Sequence, residues 1–244
     1  MTGTAAASDM NHREAIVTAF MGLLAERPLG EVTLADTAER AGLSLGQVRA
    51  AFGSRFEIIA AFVASIDGAV LDGIDADLAD QDTKERLFDV LMRRLDLLAP
   101  HKEAVRRLSS AAMRDPGLAL ALNGLAVQSQ RWMLAAAGVE VPGAGGAIRA
   151  QGLAIAFAKV VRAWLDDEDP ALARTMRVLD VELIRAGRAA GALRAVERAA
   201  SPLLGLICAP FGRRRRSEAD RGGARGTERG WQGDDFRDPK VTPV

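Results

Sequence analysis

The apolar residues of this chain recur at helical spacing in almost every segment, and no segment alternates convincingly with a period of two. In the first such segment, residues 11–26, Ile16, Phe20 and Leu24 fall on one face, and Pro28 follows the segment. The apolar residues are mainly alanine, leucine, valine and isoleucine, tyrosine is absent, and alanine and leucine favour helices. The sequence therefore predicts an all-α protein.

Residues 33–52 combine two short amphipathic segments with a tight turn between them. Thr33 and Ser44 stand where helix N-caps belong, and Gly42 occupies the turn. The pattern predicts a helix-turn-helix, with residues 34 and 38 facing residues 48 and 52 across a small core. Its second helix, of about nine residues and thus roughly 13 Å, fits the major groove of DNA.

The leading end of this second helix is expected to face the edges of DNA bases. Gly46 allows the backbone to approach closely, and Gln47 can bind adenine with both ends of its amide. Thr33 and Ser54 begin helices, so their hydroxyl and N–H groups can contact phosphates. Residues 40–56 contain three arginines and no acidic residue. The predicted DNA-binding residues are Thr33, Ser44, Leu45, Gly46, Gln47, Arg49, Ser54 and Arg55.

Several motifs surround and continue this helix-turn-helix: Val32-Thr33-Leu34, Ala41-Gly42-Leu43-Ser44-Leu45-Gly46, Phe52, Gly53-Ser54-Arg55 and Glu57-Ile58-Ile59. Through these motifs, residues 13–62 resemble the DNA-binding domain of the TetR family of bacterial transcriptional regulators. The family usually carries tyrosine at the position of Arg49, often histidine at that of Ala51, and usually lysine at that of Arg55, whose charge is kept.

The resemblance implies an N-terminal three-helix helix-turn-helix domain followed by a larger helical domain for ligand binding and dimerisation. It implies a homodimer in which residues 147–165 and 171–186 pair with their copies in a four-helix bundle. Two recognition helices about 34 Å apart would then read a palindromic operator on double-stranded DNA. In this family the usual function is repression that a small ligand relieves.

The expected organisation has four parts. Residues 1–10 are expected to be a disordered N-terminus, residues 11–58 the helix-turn-helix domain, and residues 59–209 the ligand-binding and dimerisation domain. Residues 210–244, with nine basic and six acidic residues, are expected to form a disordered basic tail. Residues 138–146 are glycine-rich and are expected to form a loop.

Three aromatic residues, Trp132, Phe157 and Trp164, are candidates to line a cavity for an unidentified small apolar ligand. Ordinary core or interface packing is their alternative role. His12 and His101 lack the spacing of metal ligands, and the chain has one cysteine. The sequence thus predicts no metal site, no cofactor, no catalytic residue and no membrane span. We expect a cytoplasmic protein that is not an enzyme.

A second hypothesis stays open from the sequence. Residues 164–183 are similar to the ubiquinone-biosynthesis accessory protein, which shares the TetR fold and binds lipid rather than operator DNA. Arg49, Ala51 and the mildly acidic body of residues 1–209 favour this lipid-binding alternative, whereas the basic window of residues 40–56 favours a DNA-binding regulator.

Overall fold

The computed structural model describes the backbone of residues 2–74, 81–139 and 142–207, and the side chains of residues 10–192 within those ranges. The described residues contain helices and no strand, which confirms the all-α prediction. Short 3-10 turns lie at Leu29–Glu31 and Ala99–His101. The α-helices are α1 (Thr2–Glu26), α2 (Leu34–Ala41), α3 (Leu45–Ala51), α4 (Arg55–Asp72), α5 (Thr83–Leu98), α6 (Lys102–Ala112), α7 (Pro116–Ala136), α8 (Gly143–Leu165) and α9 (Ala173–Ile207).

The turn between α2 and α3 has the geometry that the sequence predicts. Gly42 has φ 68°, in the left-handed region, where glycine avoids the strain that a side chain would introduce. The Leu43 N–H donates to the Ala38 carbonyl at 3.0 Å and closes the end of α2. At the start of α2, the Asp36 N–H donates to the Thr33 hydroxyl at 3.1 Å, and the Thr33 N–H donates to the Asp36 carboxylate at 3.2 Å. Thr33 is therefore the N-cap of a capping box.

The core of the first three helices is apolar and fully closed. Phe20 and Leu24 of α1 pack with Val48 of α3 and with Phe52, and all four side chains are buried. Burial of these side chains fixes the angle between α1 and α3. The exposed side of α3 is consequently a stable surface.

The helices from α4 onwards enclose a core that also contains charge. Arg94 of α5 donates to the Asp67 carboxylate of α4 and to the Ser129 hydroxyl of α7, and the Ser129 hydroxyl donates to Asp67 at 2.8 Å. All three residues are buried. Because the charges of Arg94 and Asp67 are both removed from water, loss of either residue would leave the other as an uncompensated buried charge. This cluster joins α4, α5 and α7.

Three helix boundaries differ from those expected. α1 begins at Thr2, so the backbone of residues 2–10, which we expected to be disordered, is helical; its alanine-rich sequence has high helix propensity. α8 begins at Gly143, within the expected loop of residues 138–146. α9 continues past residue 186 because isolated glycines weaken a helix without ending it.

The described residues up to 194 belong to one compact unit, and a second unit begins at residue 195. The side chains of the second unit are outside the described residues. The expected basic tail of residues 210–244 and Cys208 also lie outside them, as do residue 1, residues 75–80 and residues 140–141.

Candidate nucleic-acid interface

The leading end of α3 is capped and exposed. The Gln47 N–H donates to the Ser44 hydroxyl at 3.2 Å, and the Ser44 N–H donates to the Gln47 side-chain carbonyl at 2.8 Å. This reciprocal pair is a second capping box, and it fixes the start of the helix. Ser44, Gly46 and Gln47 are exposed, and Leu45 keeps 54% of its surface accessible although it is a large apolar residue. The end of α3 is therefore rigid and unobstructed by the described part of the chain.

Gly46 has no structural role that requires a glycine. A Cβ built at this position would meet only the Ser44 hydroxyl oxygen, at 3.7 Å, which is an ordinary contact. Glycine in a helix nevertheless costs roughly 0.5–1 kcal/mol relative to alanine. Gly46 thus weakens α3 and is not needed for its packing. Its effect is to leave the backbone of α3 accessible to close approach by another molecule.

The capping box limits what Gln47 can do. Bidentate recognition of adenine needs both the carbonyl and the amino group of its amide. The Ser44 N–H already uses the carbonyl, while no hydrogen bond within the described chain engages the amino group. Gln47 therefore keeps both N–H donors of its amino group, while its carbonyl has one acceptor position left and is held in the orientation that the cap sets. The predicted bidentate contact requires adenine to meet the amide in that orientation.

Thr33 and Ser54 both cap helices, as predicted for phosphate contacts. Each hydroxyl accepts a hydrogen bond from a backbone N–H, that of Asp36 for Thr33 and that of Glu57 for Ser54, the latter at 3.2 Å. Because the hydroxyl oxygen acts as the acceptor, its proton is still available as a donor. Thr33 is exposed and Ser54 is half-buried. Both can donate to a phosphate without losing their caps.

The three arginines of the basic window have three different environments. Arg40 forms a bidentate ion pair with Glu26, at 2.6 and 2.7 Å, which raises the pKa of Arg40 and lowers that of Glu26. Nη1 of Arg55 donates to the Leu29 and Val32 carbonyls at 2.9 Å each. Arg49 is exposed and has no ion pair or hydrogen bond within the described residues. The window is therefore less basic than its sequence indicates, because Arg40 is neutralised.

Sequence reasoning missed one residue that positions α3. Arg13 of α1 donates to the Ala51 carbonyl at the end of α3, and its guanidinium lies 4.2 Å from the centroid of the Phe52 ring. A cation at the C-terminal end of a helix also complements the helix dipole. Only the packing of α1 against α3 reveals this contact, because the partners are 38 residues apart.

The predicted ligand-binding aromatics are not brought together. Trp132 is 53% exposed on α7, whereas Phe157 and Trp164 of α8 are buried in the core. Phe157 faces the guanidinium of Arg94 at 5.7 Å, and Trp164 faces the ammonium of Lys102 at 5.2 Å. None of the three lines the clefts beside α6, beside the start of α5 or beside the start of α8. Their part in binding a ligand stays a prediction, and burial of Phe157 and Trp164 is what the alternative of core packing requires.

The comparisons with known proteins support the fold. No protein-family model and no curated protein matches the chain. A TetR transcriptional regulator from Nitrosomonas europaea has a similar structure, with a TM-score of 0.59 and 23% identity over 72% of this chain and 97% of that one. A TetR transcriptional regulator from a Rhodococcus species has a TM-score of 0.50 and 19% identity over 72% of this chain and 98% of its own. The chain thus has the fold of TetR-type transcriptional regulators, as the resemblance of residues 13–62 implied.

Proposed function

We propose that this protein is a TetR-like transcriptional regulator that binds double-stranded DNA through α3. The observation that carries the proposal is the doubly capped, exposed leading end of α3, where Leu45 and Gly46 face outwards without a partner in the described chain. An exposed leucine and an unneeded glycine both disfavour a purely structural role for this end. The two similar structures are named as transcriptional regulators, which agrees with this role.

Each residue of the proposed interface has a distinct role. Leu45, Gly46 and the amino group of Gln47 face the bases in the major groove, where Leu45 contacts apolar groups such as the thymine methyl. The hydroxyls of Thr33, Ser44 and Ser54 donate to phosphates. Arg49 supplies the free positive charge, and the unengaged nitrogens of Arg55 supply a second contact while Nη1 holds the turn before α2.

We further propose a homodimer formed through α8 and α9, which would present two copies of α3 to a palindromic operator. Ile148 and Ile155 of α8 and Val181 and Ile184 of α9 are exposed apolar residues. α8 is long and apolar enough to cross a membrane by length and composition alone. Only 33% of its most apolar window is buried within the chain, so much of its apolar surface is left uncovered. A partner helix would cover this surface, as in a four-helix bundle.

We propose that the protein represses transcription and that a small apolar ligand relieves this repression. We also propose that the protein is cytoplasmic. The ligand would act by binding one separation of the two recognition helices better than another. The lipid-binding alternative is less well supported, since Trp132 is exposed and Phe157 and Trp164 are buried in the core. Arg49 and Ala51, which favoured it together with the acidic body and the similarity of residues 164–183, do not obstruct the α3 surface.

The test is selection of duplexes from a random library by the purified protein, followed by binding curves at several salt concentrations. A regulator enriches a palindromic sequence and binds it more weakly as salt rises. Ile155→Asp, at the centre of the exposed α8 surface, should produce monomers in analytical ultracentrifugation and lose affinity for the palindrome. Enrichment of no sequence, with a wild-type protein that is folded and dimeric, would refute DNA recognition.

A further inference from the structure

A basic cleft of about 420 Å³ lies where the turn Leu29–Glu31 faces α6 and the residues just after it. This volume is within the range of small-molecule sites. Arg106, Arg107 and Arg114 line the cleft together with a single acidic residue, Glu103. The cleft therefore has an excess of two positive charges, although the whole chain has no net charge.

The arginines are held in place and still have donors to spare. Nε of Arg107 donates to the Ala25 carbonyl at 3.2 Å, Nη2 of Arg106 donates to the Leu165 carbonyl, and Nε of Arg114 donates to the Ser110 carbonyl at 3.1 Å. A guanidinium has five N–H donors, so each of these groups retains several. Contacts to fixed carbonyls orient the guanidinium groups before any ligand arrives, and this reduces the entropy lost on binding.

The positive charge of the cleft is only partly neutralised. Glu103 is shared between Arg106 and Arg107, at 3.3 Å from each. Arg106 has a second, longer contact of 3.4 Å with Asp166. Arg114 has no carboxylate within salt-bridge distance in the described part of the chain. A carboxylate or phosphate entering the cleft would therefore meet Arg114 without a counter-charge, Arg107 with only a share of Glu103, and Arg106 partly paired with both Glu103 and Asp166.

We propose that this cleft binds a small organic anion that carries a carboxylate or phosphate beside a short apolar group. The three arginines and the Ser110 hydroxyl would hold the charged end, because arginine presents paired donors that match both groups. Pro28, Leu29 and Ala111 provide the apolar part of the lining. This site does not include Phe157 or Trp164, the candidates for contact with an apolar ligand.

Occupation of the cleft should be linked to DNA binding, a part of the inference that rests on the proposed function. The turn that forms one wall is held on its other side by Arg55, which binds the Leu29 and Val32 carbonyls. Val32 directly precedes Thr33, the cap of α2. An anion that contacts both the turn and α6 would fix the position of the DNA-binding helices relative to α6. By reciprocity, DNA would alter the affinity for the anion by the same factor.

The site is tested by isothermal titration calorimetry of the full chain with two probes, inorganic pyrophosphate and citrate, at constant ionic strength. The double variant Arg107→Gln and Arg114→Gln should weaken saturable binding of the preferred probe by at least about tenfold, since charged hydrogen bonds are lost. Arg131→Gln is the matched control, an exposed arginine that lines a different cleft. Arg49→Gln excludes binding of the probe at the α3 surface. Circular dichroism melting establishes that each variant is folded.

Absence of saturable binding by both probes would overturn the anion site, whether or not the protein binds DNA. Equal affinity of the folded double variant and the wild type would also overturn it. A selected duplex is then titrated with and without the preferred probe. A probe-induced change in DNA affinity that the double variant abolishes supports the linkage. If the double variant instead loses DNA affinity without any probe, these arginines contact DNA phosphates, and the proposal of a separate anion site is wrong.

Discussion

Replacement of Gly46 by alanine separates the stability of α3 from its proposed contact with DNA. The added Cβ meets only the Ser44 hydroxyl oxygen at 3.7 Å, so it introduces no clash within the chain. Alanine should stabilise the helix by about 0.5 kcal/mol, the lower end of the usual range, because Gly46 lies in the first turn. For a chain of this size, that raises the melting temperature by roughly 1–2 °C. The same methyl group occupies the space that a base edge needs, and we expect affinity for a selected duplex to fall by about tenfold or more, the value of one specific contact.

Gly68→Ala is the matched control for this experiment. Gly68 lies within α4, and a Cβ there would meet nothing within 4 Å. This variant should also raise the melting temperature, while its affinity for the duplex stays at the wild-type value. Melting is followed by circular dichroism, and DNA binding by fluorescence anisotropy at fixed salt. If Gly46→Ala melts higher and binds the duplex as tightly as the wild type, the leading end of α3 does not approach the bases, and the reasoning from Gly46 fails.

Three further variants test other parts of the structure. Arg49→Gln should weaken binding to all duplexes and reduce the slope of log affinity against log salt by about one. The melting temperature should not change, since Arg49 has no partner in the described chain, and an unchanged slope would show that Arg49 contacts no phosphate. Asp67→Ala leaves Arg94 buried without its counter-charge and should lower the free energy of unfolding by about 3 kcal/mol in urea denaturation. Asp96→Ala, at an exposed position on α5, should change the free energy of unfolding little, and equal effects of the two variants would contradict the importance of the Asp67–Arg94 pair. Burial lowers the pKa of His101, so the unfolded chain binds a proton at higher pH than the folded chain does. Stability should therefore decline as the pH falls below about 6.5 towards the lower pKa of the folded state, and His101→Gln should flatten this decline; a variant with the wild-type pH dependence would show that another group is responsible.

The sequence was most informative where structure depends on neighbouring residues. Thr33, Gly42 and Ser44 act through contacts within a few positions, and the caps and turn of α2 and α3 are accordingly found where the pattern predicts them. Core packing, the alternative role that the sequence left open for Phe157 and Trp164, agrees with their burial, although the sequence did not identify their neighbours.

Contacts between distant residues changed the functional interpretation. Arg40 counted as free positive charge until the fold placed it beside Glu26, and Arg55 counted only as a phosphate ligand until the fold placed it against the Leu29 carbonyl. The ion pair of Asp67 with Arg94 joins residues 27 apart and has no signature in the chain. Such pairings depend on how helices pack, and helical periodicity identifies the buried face without identifying its partner.

The cap that joins Ser44 and Gln47 has a consequence for how target preference could change over evolutionary time. Glutamate at position 47 would keep an acceptor for the Ser44 N–H, whereas a residue without a carboxylate or amide side chain would remove it and destabilise the start of α3, because a capping box needs such an acceptor there. Leu45 and Arg49 make no such contact within the described chain, so they are free to vary. New DNA preferences would therefore arise first at those two positions, and position 47 would change to a residue without such an acceptor only together with a compensating substitution.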